Sequence, residues 1–229
     1  PTLPDRMRHI IVDENSRMRI SRVAYPTTNL GIHGLSTFSF ICMQMTAPMK
    51  NDMSSTMGIE FTPSWYVSRS VCLKKMLHAE RILWLNHGNL IGDDTDGHVD
   101  TVARLTPNDT IVYMQCTDEN DAQYADLRAM EEEIAALRTA DGNPYKMIAL
   151  PSPDAIHDED GERLPATYAN FLIMNNCVLY PTYAQPDNDR KAAEALKKAF
   201  PKHEIVGIDC RALIKQHGSL HCVTMQYPR

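Results

Sequence analysis

Two short stretches of this sequence carry side-chain types that could do chemistry. The first is Gly92-Asp93-Asp94-Thr95-Asp96-Gly97-His98-Val99-Asp100. Its density of carboxylates suggests calcium. The EF-hand pattern fails, however, because Arg104 occupies the place, counted from Asp93, where the closing glutamate is required. The His98-x-Asp100 spacing matters more. If Val99 starts a strand it faces the core, and His98 and Asp100 share the opposite face. An imidazole then stands beside a carboxylate, just after Gly97 lets the backbone turn tightly. Asp94 and Asp96 would shape or cap that loop.

The second stretch is Gly218-Ser219-Leu220-His221-Cys222-Val223-Thr224-Met225-Gln226. It puts Cys222 within an apparent strand, after a glycine turn and next to His221. A free cysteine is most simply a small buried hydrophobe. The alternative is a nucleophile whose thiolate is supported by a nearby imidazolium. On a strand His221 points away from Cys222, so it packs or hydrogen-bonds behind any site there. His98 taken alone reads as a structural or surface histidine.

The elements that must position these residues become readable from Val71 onward. Val71–His78 reads as a short helix and Arg81–Leu85 as a buried strand. Thr101–Leu105 and Thr110–Cys116 are strands joined by Pro107-Asn108-Asp109. Asp121–Arg138 places Leu127, Met130, Ile134 and Leu137 at helical spacing, with Glu131–Glu133 on a solvated face. Tyr145–Leu150 is a strand, and the acidic stretch from Pro151 to Leu164 a surface loop. Phe171–Met174 and Cys177–Tyr180 form a hairpin around Asn175-Asn176.

Arg190–Phe200 is a helix with Ala193, Leu196 and Phe200 inward. Glu204–Ile208 is a strand, Arg211–His217 a short helix closed by Gly218, and Leu220–Gln226 a last strand. The order strand, strand, helix, strand repeats, so the chain is α/β and built from modules. Residues 1–70 are harder to read. Arg17–Val23 alternates weakly and Leu35–Ile41 has the composition of a short strand, but no period holds for a full element.

Composition bounds the function. The chain has 229 residues, 43% hydrophobic and 23% charged, which excludes wholesale disorder. A net charge of -6 argues against a nucleic-acid or anionic-membrane partner. The charge is unevenly spread: residues 81–229 carry the acidic excess, whereas 1–80 are slightly basic. No run of about 18 apolar residues suggests a membrane span. The six cysteines are widely spaced and form no C-x-x-C pair, so neither a disulfide framework nor a zinc ribbon is expected. No signal peptide is visible, and free thiols point to a reducing compartment, the cytoplasm. The first residue is Pro1, which points to a start further upstream.

From Val71 to Arg229 the sequence closely resembles the agmatine deiminases, the Porphyromonas-type peptidylarginine deiminases. The matching strings are Ile82-Leu83-Trp84-Leu85, Gly92–Asp100 with Thr101, Pro165-Ala166-Thr167-Tyr168-Ala169-Asn170-Phe171, Val178-Leu179-Tyr180-Pro181-Thr182-Tyr183 and Gly218–Gln226. The resemblance implies a pentein fold, an α/β propeller of five ββαβ modules, of which about two to three are present here. It also implies hydrolytic deimination of agmatine to N-carbamoylputrescine and ammonia, a step of putrescine and polyamine metabolism. Carried over by motif, Cys222 is the nucleophile that forms a thiouronium and His98 is the general acid/base. Asp100 binds the guanidinium of the substrate through a charge-assisted bidentate contact. No metal or organic cofactor is implied. The partner is a small cationic guanidine, which suits the acidic balance of this half.

The resemblance departs from the family in residues 1–70. A full member carries an acidic residue in an R-D-x-G-P string and a glutamate in an E-G-G string, and neither occurs here. Residues 1–70 are therefore expected to be an unmatched segment, poorly ordered or read in a shifted frame, and 71–229 the C-terminal part of the deiminase domain. A guanidinium with one of its two carboxylates is poorly oriented, so activity of this chain alone should be weak or absent. Deimination of peptidyl or free arginine is a close alternative. A Cys-His peptide hydrolase is a second, although no oxyanion-hole pattern accompanies Cys222. A catalytically silent piece, drawn into homo-oligomers by open sheet edges, is a third.

Overall fold

The computed structural model describes residues 9–13, 19–20, 43–44, 70–71, 73–75, 79–93 and 98–225. The expected strand Leu35–Ile41, most of the Val71–His78 helix beyond Lys75, and the loop residues Asp94 and Asp96 lie outside these. So does most of the segment 1–70. Within it, β1 (His9–Asp13) pairs in parallel with β4 (Arg81–Leu85), His9 opposite Arg81. The short strands β2 (Arg19–Ile20) and β3 (Met43–Gln44) pair antiparallel.

From residue 103 the chain builds the same unit twice. In the first, β5 (Ala103–Thr106) pairs antiparallel with β6 (Thr110–Gln115). Helix α1 (Tyr124–Ala136) then crosses over, and β7 (Lys146–Pro151) pairs in parallel with β6. In the second, β8 (Leu172–Ile173) pairs antiparallel with β9 (Cys177–Thr182). Helix α2 (Pro186–Ala199) crosses over, and β10 (Glu204–Asp209) pairs in parallel with β9. Two ββαβ modules are therefore present, as the repeated order of elements implies.

Local chemistry explains each element. β6 is an apolar, β-branched run buried on both faces, as a central strand must be. The β5–β6 connection needs left-handed backbone, and Asn108 and Asp109 supply it at φ 61° and 53°. Helix α2 starts with Pro186 in its first turn, carries Asp187 and Asp189 there, and ends with Lys197 and Lys198. Those charges oppose the helix dipole at both ends. The helix begins four residues before Arg190; Leu196 and Phe200 are buried as expected, Ala193 packs partly buried against the core, and Ala192, Ala195 and Ala199 are buried as well. Phe200 is buried as the residue capping the helix.

Each module has its own core. Leu83, Leu85, Ile111, Met114, Leu127, Met130 and Ile134 form one around α1. Tyr168, Phe171, Val178, Leu196, Phe200 and Ile214 form the other around α2, where Phe171 and Phe200 meet edge to face at 5.7 Å. Burying each such aromatic contributes about 2–3 kcal/mol before entropy is counted. Arg104 joins the modules: it is buried on β5, donates to Phe171 O at 2.8 Å and stacks over the Phe171 ring.

Three sequence expectations fail here. Glu131 and Glu133 are not a solvated face. Glu131 Oε1 accepts from Tyr113 Oη at 2.7 Å and from Gln115 Nε2 at 2.9 Å. Glu133 accepts from the backbone and side-chain amides of Asn86 and contacts His87 Nδ1. Because α1 lies over β6 and the end of β4, carboxylates at its two borders meet donors, and only Glu132 faces water. Second, the turn after β10 is a 3-10 turn at Ile214–Gln216, closed by His217 at φ 60° instead of Gly218. Third, Leu220–Gln226 is no strand, since residues 220–223 form a turn. Among the described residues no helix is long and apolar enough to cross a membrane.

Candidate active site

His98 and Asp100 do not reach their site by strand alternation. Val99–Thr101 is a 3-10 turn, with His98 extended at its start. Thr101 closes the turn, since both its backbone N and its Oγ1 donate to His98 O. The compact turn buries Asp100 at 3% exposure and leaves the His98 ring facing the C-terminal segment.

That segment folds back on itself because it is not a strand. Gly218 lies against Cys222: a Cβ at Gly218 would come within 3.2 Å of Cys222 Cβ. Ser219 is buried, and its Oγ is 2.9 Å from Tyr183 Oη. His221 O then accepts from Thr224 N and Thr224 Oγ1 at 3.0 and 2.7 Å. The result holds Cys222 Sγ at 3.9 Å from His98 Nδ1, between residues 124 positions apart.

His221 has a different place from the one alternation predicts. In the turn it projects toward Asp100, with Nδ1 at 2.7 Å from Asp100 Oδ2. Asn170 Nδ2 donates to the same Oδ2 at 2.9 Å. The Asp100 carboxylate is therefore held in one orientation by two neighbours before any ligand arrives. Asp93 was not singled out by the sequence. Its Oδ1 lies 3.7 Å from His98 Nδ1, and its Oδ2 accepts from His98 N at 3.3 Å. Gly92, immediately before Asp93, stands in the left-handed region at φ 87°. His217 Nδ1 is 2.9 Å from Gly92 O and ties this loop to the C-terminal turn.

The electrostatics differ from those of an activated thiol. Burial of the sulfur side, then the Asp100 carboxylate and more weakly Asp93, push the Cys222 thiol from 9.0 up to about 12, although the residue keeps an exposed rim. A hydrogen bond from the Ser219 region acts in the opposite direction. The site without ligand thus brings together a thiol, the His98 and His221 imidazoles and the Asp93 and Asp100 carboxylates. Such a site favours a cation, and a cation placed there offsets the carboxylates that hold the thiol protonated. Among the described residues no group of three or more His, Cys, Asp or Glu could hold a metal ion.

Known proteins share the sequence and fold of this region. The family model for Porphyromonas-type peptidyl-arginine deiminase matches residues 69–228. The crystal structure of the "Putative Arginine Deiminase from Porphyromonas gingivalis" is 49% identical, covers 76% of this chain and 49% of its own, and superposes with a TM-score of 0.67. A C. jejuni agmatine deiminase with a cysteine-to-serine change and substrate bound is 39% identical, over 68% of this chain and 44% of that one, at a TM-score of 0.62. A Marinomonas sp. (strain MWYL1) protein named "Putative agmatine deiminase" is 36% identical over 172 residues, 68% of this chain and 46% of its own length. The chain spans about half the length of the curated relatives it matches. With its paired ββαβ modules, its facing His98 and Cys222, and this match along residues 69–228, the chain belongs to the Porphyromonas-type peptidyl-arginine deiminase family.

Proposed function

We propose that this chain carries the nucleophilic half of a deiminase that hydrolyses the guanidinium of agmatine to a ureido group and ammonia. The observation that carries the reading is the 3.9 Å approach of Cys222 Sγ to His98 Nδ1 beside the Asp100 and Asp93 carboxylates. A guanidinium is planar, cationic and resonance-stabilised, so it needs a strong nucleophile and a held charge.

In the proposed cycle the substrate cation binds against Asp100 and offsets the negative field on Cys222. The thiol proton passes to His98, and the thiolate attacks the guanidinium carbon. The imidazolium then protonates the departing nitrogen, the C–N bond breaks, and ammonia leaves a thiouronium on Cys222. His98 next takes a proton from water, whose oxygen adds to the same carbon. The C–S bond breaks as the hydroxyl proton passes to solvent and the C=O forms, the ureido product leaves, and the sulfur recovers a proton from His98. The complete enzyme would be a five-module propeller to which this chain supplies two modules. A bare amine tail is preferred over the carboxylate of arginine, which the acidic surroundings repel by about 1–3 kcal/mol.

The test is acid-quenched mass spectrometry of the chain with agmatine, alone and mixed with the N-terminal half of a relative. The Cys222 peptide should gain the substrate mass less ammonia, and Cys222→Ser should gain nothing. No adduct in either preparation would overturn the reading. An adduct with the mixture alone places the missing carboxylates in the other half.

A further inference from the structure

Asn170 sits at the centre of the site, where its side chain also hydrogen-bonds the Cys222 thiol and holds its proton affinity down. It is fully buried, in the segment that leads into β8. Its Oδ1 accepts from two successive backbone amides, His221 N at 2.8 Å and Cys222 N at 3.2 Å. Its Nδ2 donates to Asp100 Oδ2 at 2.9 Å and lies 3.4 Å from Asp100 O. The amide orientation is not arbitrary. Backbone N–H groups only donate and a carboxylate only accepts, so oxygen must face the turn and nitrogen must face Asp100.

The segment that carries Asn170 is itself tied down. Thr167 Oγ1 donates to Thr101 O, the residue after Asp100. Ala169 N donates to Thr167 Oγ1 at 3.1 Å, and Phe171 O accepts from the buried Arg104. His221 N also approaches Asn170 O at 3.2 Å. The amide is therefore a rigid bracket, with one end on the acid and the other on the nucleophile's own peptide.

We infer that Asn170 is a positioning residue of this site, fixing the Asp100 carboxylate and the Cys222 backbone relative to one another through one buried amide. No other side chain of that size does both. Aspartate keeps the two acceptors but sets a second carboxylate against Asp100, and alanine orphans groups at both ends. The inference rests on the deiminase reading, because a cation must sit between the acid and the sulfur for their spacing to matter.

The test uses the full chain and two alkylating reagents, neutral iodoacetamide and the cationic, guanidinium-shaped 2-chloroacetamidine. Labelling is read by peptide mass mapping at Cys222, with the half-buried Cys177 on β9 as internal reference. Wild type should show a higher cationic-to-neutral ratio at Cys222 than at Cys177. Asn170→Asp and Asn170→Ala should each lower the Cys222 ratio by about tenfold and leave Cys177 unchanged. Retention of the wild-type ratio in both variants would overturn the positioning role and leave the deiminase reading intact. Faster Cys177 labelling in both variants would make Asn170 a residue of the fold, which also overturns the inference. A wild-type Cys222 without any cationic preference would remove the deiminase reading and the inference with it.

Discussion

His221 Nδ1 lies 2.7 Å from Asp100 Oδ2, so the residue before Cys222 is bonded to the acid and not turned away behind the site. Both side chains are mostly buried, and the contact closes the C-terminal turn onto the Val99–Thr101 turn. Replacing the imidazole strips a buried carboxylate of a partner. His221→Ala should cost roughly 1–3 kcal/mol, seen as a lower urea midpoint at unchanged slope. An unchanged midpoint would mean that the contact contributes nothing in solution.

Cys222 should react slowly with a neutral alkylator near pH 7 and speed up toward pH 12, because burial and the Asp100 carboxylate raise its thiol to about 12. Asp100→Asn should move that midpoint down. A wild-type midpoint at or below 9.0 would contradict the arrangement.

Alkaline stability follows from the same groups. Burial pushes Cys210 up to about 11, as burial and Asp100 push Cys222 to about 12. The unfolded thiols lose their protons first, near 9.0, so the folded state holds more protons above that pH. The stabilisation is complete below about pH 9 and is lost as pH rises through 11 to 12. Urea midpoints across pH 8–11.5 should fall, and Cys210→Ala should flatten part of the decline.

Arg163 donates to both Asp121 oxygens, at 2.7 and 2.9 Å, and so pins the acidic loop 152–164 to the start of α1. That hydrogen bonding holds the Asp121 carboxyl below its ordinary 3.8. Its stabilisation is present above that pH and is lost as pH falls through the lowered value. Asp121→Asn should cost about 1 kcal/mol at pH 7, less at pH 3, by thermal melts. An equal cost at both pH values would count against the pair.

Gly92→Ala should be among the most damaging single changes outside the core. The backbone there stands at φ 87°, and the added Cβ would collide with the Arg163 carbonyl. A loss of about 2 kcal/mol or more is expected, with faster protease cleavage between residues 88 and 98. A neutral substitution would mean that the loop is free to move.

The sequence alone determined that His98, Asp100 and Cys222 are the groups to look for, and most of the strands and helices between residues 81 and 209. β6, α1, β9 and α2 are legible because apolar periodicity and turn residues are local signals. Strings such as His98–Asp100 and Gly218–Gln226 carry the family by residue type alone. What it could not determine is the direction of each functional side chain. His98, Asp100, His221 and Cys222 all sit in turns, where the two-residue alternation of a strand does not apply, and their orientation is set by hydrogen bonds to Thr101, Asn170 and Thr224. The same is true of Asp93, Glu131 and Glu133, whose partners His98, Tyr113 and Asn86 lie in other turns and strands. Periodicity reads how one segment divides its faces between core and water. Only the packing of several segments decides which polar group finds a partner, and therefore where the chemistry is.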